Sequence, residues 1–424
     1  MDAHATPAPA ADPSRDQLVR LNQLFAEILP ANPFHWSRLG AILGDERVCK
    51  TAADYRGLPL LTKDDLVADS SAHPPFGTNL TYPLDDYTRY HQTSGTTGQP
   101  LRVLDTAETW DWWGRCWIEV LEAAGVTSAD RAFFAFSFAP FIGYWSAHQG
   151  VSMLGAMTIP GGGSDSLRRL KLIFDTGATV LLCTPTYALH LAEVAEREGL
   201  NAANSSIRVT IHAGEPGGSI PGTRARIAEA WGAQVFDHAG ASEIGAWGIG
   251  DSEGKGLYVN EAEFIAEVVD PDSLEPVPEG AVGELIITNL GRGAWPVIRY
   301  RTGDLVRPRR VRAGGGPAKL LLEGGVLGRR DDMITVRGVN VYLSALENII
   351  RSIAGSAEFR ITATKSDEMD QVAIELEGSS VAADGVTREI ADQIGIRVSV
   401  EAVAENSLPR WEAKAKRFHD LRRR

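Results

Sequence analysis

An α/β protein with more than one domain is what these residues predict, and three observations carry that prediction. Short β-rich runs alternate with helical stretches through the middle of the chain, the mark of a parallel sheet covered by helices. From about 257 to 306 strands follow one another with turn residues between them, as in a small antiparallel unit. Beyond about 331 the order becomes strand, helix, strand, strand, helix, strand, which describes a separate small α+β domain. A chain of 424 residues is also too long for one hydrophobic core.

Taken in order, the first dozen residues are Ala/Pro-rich and are expected to be disordered. From Asp16 apolar residues recur at helical spacing (Leu18, Leu21, Leu24, Phe25, Ile28), and Pro30 ends that helix. Strands are expected at 131–136, 179–183, 207–212 and 233–236, with helices at 107–124, 165–175, 187–198 and 222–231. In the helix that begins near 107, Trp110, Trp113 and Trp117 share helical spacing and read as packing residues. The glycine-rich stretch 313–325 reads as a flexible connection. In the tail, helices are expected at 344–353 and 386–394, and strands at 359–364, 371–376 and 396–402.

Composition excludes several classes. A formal charge of −13 argues against a nucleic-acid binder or a membrane-surface protein, both of which need a basic face. The longest apolar run, 132–145, is too short to span a bilayer and is interrupted by Pro140 and Gly143. The N-terminus lacks a basic segment followed by an apolar one, so it does not read as a signal peptide. Three cysteines without a CxxC pair fit a reducing compartment, and a cytoplasmic protein is the expectation.

Residues 91–100, HQTSGTTGQP, hold the first chemistry. Glycines let successive N–H groups converge on an anion, and Ser/Thr hydroxyls add donors. Taken alone, the segment is equally a phosphate cradle or a polar surface loop. The GxxxxGK[ST] pattern is absent, since Gly98 is followed by Gln99 and Pro100, which argues against a P-loop NTPase.

The whole string resembles the phosphate-binding signature of adenylate-forming enzymes, the superfamily of acyl-CoA synthetases, luciferases and peptide-synthetase adenylation domains. The resemblance continues in order through AGEPGG (213–218), FDHAGASEIG (236–245), RYRTGDL (299–305), GRRDDMITVRGVNVYLSALE (328–347) and LPRWEAKAKR (408–417). Within the superfamily the chain is most similar to phenylacetate-CoA ligases. Its short length, LPLLTKDDL (58–66) ahead of the glycine loop and RGVNVY after the hinge point there. That resemblance implies a large N-terminal region of stacked α/β subdomains with a small β subdomain, here 1–327. A small mobile α+β domain, 328–424, would follow.

It also implies an ATP-dependent aryl- or arylacetyl-CoA ligase that works through an acyl-adenylate, with ATP, Mg²⁺ and coenzyme A. By the resemblance Thr93, Ser94, Gly95, Thr96, Thr97 and Gly98 would hold the outer phosphates. Gly214, Glu215, Asp237, His238, Ala239 and Ser242 would contribute to the nucleotide site, and Asp304 would accept both ribose hydroxyls. Glu243 would bind Mg²⁺, Arg329 a phosphate, and Lys414 would bridge the attacking carboxylate and the α-phosphate. Asp331 would be the hinge. Phe136, Phe141, Tyr144, Trp145 and Gly240 would line the pocket of a small aromatic acid, although an aromatic cluster is also an ordinary core.

Some positions depart from the family pattern. Ala239 replaces the tyrosine that usually stacks on adenine, and Leu101 stands where many members carry a lysine. Lys63 is expected to supply that charge. The cysteines of a structural zinc site are missing between 307 and 325, so no zinc is expected. A carrier-protein thiol or an amine is the alternative acyl acceptor, and a non-catalytic binding relative is the third reading. Oligomeric state stays open, a homodimer being the commonest arrangement.

Overall fold

The computed structural model describes residues 12–93, 100–138, 140, 142–312, 317–330, 333–336, 339–355, 357–366, 369–409 and 417–422. Ser94, Gly95, Thr96, Thr97, Gly98, Phe141, Asp331, Lys414 and the Ala/Pro-rich start lie outside those residues.

A nine-stranded sheet organises the large region. Its spatial order is Pro308–Val311, Lys319–Glu323, Gly256–Val259, Gly245–Gly250, Gln234–Ala241, Val209–His212, Val180–Cys183, Arg131–Phe134, Met157–Pro160. The five from Gln234–Ala241 onward are parallel, and the others join antiparallel. Parallel strands covered on both faces need apolar residues at every position, and Val180–Cys183 is buried throughout. Alternation then sorts the side chains. Phe133, Leu181 and Val235 pack with Leu170, Leu191 and Ile227 of the helices Ser166–Thr176, Pro185–Arg197 and Pro221–Trp231. Phe134, Leu182 and Phe236 belong instead to the core shared with Trp113, Trp117 and Val151 of the helices Ala107–Ala123 and Trp145–Leu154. The tryptophans of the former helix are core, as their spacing predicts.

The predicted antiparallel unit is a four-stranded sheet of Phe264–Val269, Gly283–Asn289, Tyr300–Val306 and Gly328–Arg329. The stretch 313–325 departs from the expected flexible connection. Lys319–Glu323 is a strand hydrogen-bonded to Gly256–Val259, with Leu320 and Leu322 fully buried. The apolar run KLLLE decides that segment, and the glycines only bound it.

At the N-terminus the expected first helix is Arg15–Ile28, started by a Ser14 capping box. Pro33–Leu43, Ala52–Arg56 and Lys63–Ala72 follow, each opened by a side-chain cap from Asn32, Thr51 or Thr62. They are too short for hydrophobic periodicity to register. The C-terminal residues form a mixed sheet of Ser399–Val403, Met369–Glu377, Phe359–Ser366 and Phe418–Asp420 with helices Leu343–Ala354 and Ser380–Ile394. The second helix begins six residues before the predicted 386, since Gly385 disguises its first turns. Leu346, Ile350, Phe359, Ile374 and Val386 give this part its own core.

Candidate active site

In open α/β sheets ligands gather outside the carboxyl ends of the parallel strands, where strand order reverses. Here order reverses between Arg131–Phe134 and Val180–Cys183, and several predicted site residues lie at that rim. Phe136 follows the first of these strands, Gly214 and Glu215 follow Val209–His212, and Asp237 to Gly240 form the end of Gln234–Ala241.

Thr93 closes the neck of the glycine loop. Its N–H donates to Leu101 O (2.9 Å), while Leu101 N–H donates to Thr93 Oγ1 (3.0 Å). The loop therefore leaves and returns at one fixed point on the hairpin of Tyr87–Gln92 and Arg102–Thr106. Gly214 has φ of +91°, a left-handed conformation that favours glycine. Glu215 accepts hydrogen bonds from Thr186 N–H (2.8 Å) and Thr186 Oγ1 (2.5 Å), which start the helix Pro185–Arg197. Asp237 accepts from Ser219 Oγ (2.5 Å) and from His238 N–H (3.1 Å). Desolvation outweighs these bonds and pushes its carboxyl up to about 6. A Cβ at Gly218 would stand 2.8 Å from the Asp237 carboxylate, so only glycine lets the two segments meet.

Glu243 is buried and pairs with Lys63, Nζ to Oε1 3.1 Å. Lys63 occupies the first position of its helix, after the Thr62 cap. A cation there opposes the helix dipole, so local stability does not account for it. Its base is tied down instead. Leu61 N–H donates to Arg299 O (2.9 Å), and Arg301 N–H donates back to Leu61 O (2.8 Å). Arg299, at φ of +49°, donates to Leu58 O (2.6 Å) and forms a buried fork with Glu267.

The turn that carries Glu243 is clamped from below by residues the sequence reading did not single out. Arg292 and Asp105 are fully buried and joined by two hydrogen bonds of 2.8 and 2.6 Å. A third Arg292 N–H donates to Ser242 O (2.8 Å), and Asn289 Nδ2 donates to Ile244 O (3.0 Å). Asp105 lies on the strand that leaves the glycine loop, so one arginine links that strand to the Glu243 turn. An isolated Arg in NLGRGAWP gives no sequence signal of this.

Asp304 and Arg329 face each other across paired strands and form an ion pair of 3.2 Å at the surface. Between the Asp304–Arg329 and Lys63–Glu243 pairs sits Tyr300, also missed by sequence reading. Its phenol is held well above its ordinary range by burial first, and then by the Glu243 charge.

On the aromatic side Phe136 meets Tyr144 edge-on at 5.3 Å, and Phe138 meets Trp145 at 4.5 Å. Phe136 and Trp145 are half-buried. Tyr144 is buried, and its hydroxyl donates to Cys183 O (2.7 Å), so only its ring is offered to a ligand. Gly240 is exposed, and Ala239 is half-buried. Among the described residues no group of three or more His, Cys, Asp or Glu could cage a metal ion. A single buried carboxylate beside a phosphate loop suits Mg²⁺, a hard cation that takes one or two carboxylates and completes its shell with phosphate oxygens and water.

This fold and this rim define an AMP-binding, adenylate-forming enzyme. The family model described as AMP-binding enzyme matches residues 50–292, and the one described as AMP-binding enzyme C-terminal domain matches 338–422. A phenylacetate-coenzyme A ligase of Thermus thermophilus is 30% identical over 95% of each chain. Another from Escherichia coli is 33% identical over 87% of this chain and 86% of the relative. A crystal structure of 2-hydroxyisobutyryl-CoA ligase in the postadenylation state with 2-HIB-AMP superposes with a TM-score of 0.89 at 29% identity, over 97% of this chain and 91% of that one. The same ligase in the thioesterification state, with 2-HIB-AMP and CoA, gives 0.72 at 29% identity over 98% and 92%. The arrangement seen here is thus nearer the postadenylation one. The chain belongs to the phenylacetate-CoA ligase family of AMP-binding enzymes, and it is an ATP-dependent acid–thiol ligase. Among the described residues no helix is long and apolar enough to cross a membrane.

Proposed function

We propose that the chain joins an aryl or arylacetic acid to coenzyme A through an acyl-adenylate, in the cytoplasm. The observation that supports it best is the Lys63–Glu243 pair, 3.1 Å apart, set between the neck of the glycine loop and Asp304. One carboxylate and one ammonium side by side is what binding of a metal-bound triphosphate calls for. The half-buried Phe136, Phe138 and Trp145 favour a flat apolar acid over a small aliphatic one.

In the first step a substrate carboxylate oxygen forms a bond to the α-phosphorus, and the bond to the bridging oxygen of pyrophosphate breaks. Thr93 to Gly98 hold the outer phosphates, Asp304 takes the two ribose hydroxyls, and Arg329 turns from Asp304 to phosphate. Glu243 holds Mg²⁺, which when bound neutralises charge growing on the leaving pyrophosphate. Lys63, paired with Glu243 here, would turn toward the same phosphates if Glu243 held a cation. Lys414 offsets charge at the α-phosphorus in the transition state. In the second step the thiol sulfur bonds to the acyl carbon, AMP leaves, and the thiol proton passes to solvent.

Between the steps the small domain rotates about Asp331. Arg330 N–H still donates to Gly303 O (2.7 Å), so the backbone through Arg330 stays with the large region and the next residue is the natural pivot.

The test is pyrophosphate release with ATP, Mg²⁺ and a panel of carboxylic acids, followed by AMP formation with and without coenzyme A. Acid-dependent release that falls by about a hundredfold or more in Lys414→Ala is expected. No release with any aryl acid, or an undiminished rate in that variant, overturns the proposal. Release without consumption of coenzyme A redirects the acyl group to a carrier-protein thiol or an amine.

A further inference from the structure

We infer that the acyl pocket selects acids bearing a hydrogen-bond donor, a hydroxyl or an N–H, and that His238 Nε2 is the acceptor that reads it. The inference rests on the ligase reading above and deepens it to a substrate class.

Alternation along Gln234–Ala241 divides the rim. Asp237 points to Ser219 and Gly218, whereas His238 and Gly240 point the other way, toward the aromatic core. The extra residue in the pairing with Gly245–Gly250 falls on the partner strand, so this alternation is unbroken. The His238 ring lies against Trp117, with centroids 4.1 Å apart. Its Nδ1 is 2.7 Å from Gly248 O. A carbonyl only accepts, so Nδ1 carries the proton and the lone pair of the neutral ring is on Nε2. Burial holds the imidazole down at about 4, so it is neutral near pH 7.

Nε2 has no protein partner among the described residues, and it is not one of the sealed unpartnered atoms. A Cβ on Gly240 would stand 3.2 Å from it and 2.8 Å from Gly245 O, so only glycine fits beside that nitrogen. The neighbouring polar atoms are already committed. Trp117 Nε1 donates to Ser146 Oγ (2.8 Å), and the Tyr144 hydroxyl donates to Cys183 O. Through Trp117 and Tyr144 the ring joins the wall that includes Phe136.

A neutral lone pair repels a carboxylate and gains nothing from a methyl group. It is satisfied by a donor carried on the acid outside its carboxylate, and left unpaired by an acid without one.

Acid-dependent ATP–pyrophosphate exchange by the full chain tests this, using pairs matched in shape. Suitable pairs are 2-hydroxyphenylacetate with 2-methylphenylacetate, mandelate with 2-phenylpropionate, and 2-aminobenzoate with 2-methylbenzoate. In the wild type at least one donor-bearing acid should exceed its partner in kcat/KM by about tenfold or more. The advantage should vanish in His238→Phe and persist in part in His238→Gln, whose amide oxygen also accepts. Equal use of both members of every pair by the wild type overturns the inference without any variant. A donor preference that survives His238→Phe overturns it as well. Exchange with no acid at all defeats the ligase reading and this inference together, an outcome distinct from exchange without donor preference.

Discussion

Two arginine–aspartate pairs stand on opposite sides of the rim, and they are built for opposite purposes. Under the Glu243 turn, Arg292 and Asp105 are fully buried and joined by two hydrogen bonds, with a third to Ser242 O. Across the rim, Arg329 and Asp304 meet through one contact of 3.2 Å, with side chains 43% and 19% exposed. The first pair is a foundation. The second can be exchanged for a ligand at little cost, because exposed pairs contribute only tenths of a kcal/mol. Under the proposed function, Glu243 would need a fixed position to hold a cation, and Asp304 would have to exchange its arginine for ribose.

The sharpest way to break this comparison is at the carboxylate the buried pair supports. Glu243→Ala should lower pyrophosphate release by about 10²- to 10³-fold, with thermal stability little changed. Arg292→Leu leaves Asp105 buried and unpaired and should cost about 3–5 kcal/mol in chemical denaturation. Arg292→Leu combined with Asp105→Leu should recover much of that loss. If the single variant is as stable as wild type, the foundation reading fails.

Acid sharpens the contrast between buried and open groups. Burial holds His35, His212 and His238 at about 4. The unfolded chain therefore binds protons that the folded one refuses between 6.5 and 4. Stability should fall as pH drops through that window, by up to about 1.4 kcal/mol per pH unit per histidine. Asp237, raised to about 6, acts in reverse, its contribution being present below the ordinary carboxylate range and lost as pH rises through 6. Melting curves at successive pH values should show the histidine slope reduced in His238→Phe.

Smaller effects belong to the open side. Lys63→Ala should raise the KM for ATP about fivefold, and an unchanged value would remove Lys63 from the nucleotide site. Smallest of all, Arg329→Ala should change stability by under about 1 kcal/mol while slowing exchange, since Arg329 itself is exposed.

The parts of this molecule legible in the sequence are those where a residue's neighbours in the chain decide its state. The parallel strands and the tryptophan helix are of that kind. Lys63 is singled out by the sequence, and the structure pairs it with Glu243. What stayed hidden depends on distant partners. Arg292 matters through Asp105, which lies in another sheet, and Tyr300 through charges on three separate segments. Glycines misled twice, disguising the helix Ser380–Ile394 and suggesting slack where Lys319–Glu323 extends the large sheet.

That last strand moors the chain ahead of the C-terminal domain. Lys319–Glu323 is sewn into the nine-stranded sheet, and Gly328–Arg329 into the four-stranded one, so two independent seams anchor the chain just before it departs. A lobe grafted from a relative at this junction would inherit that anchored geometry unaltered, which makes the junction a natural place for acceptor preference to be exchanged while acid choice stays where it is.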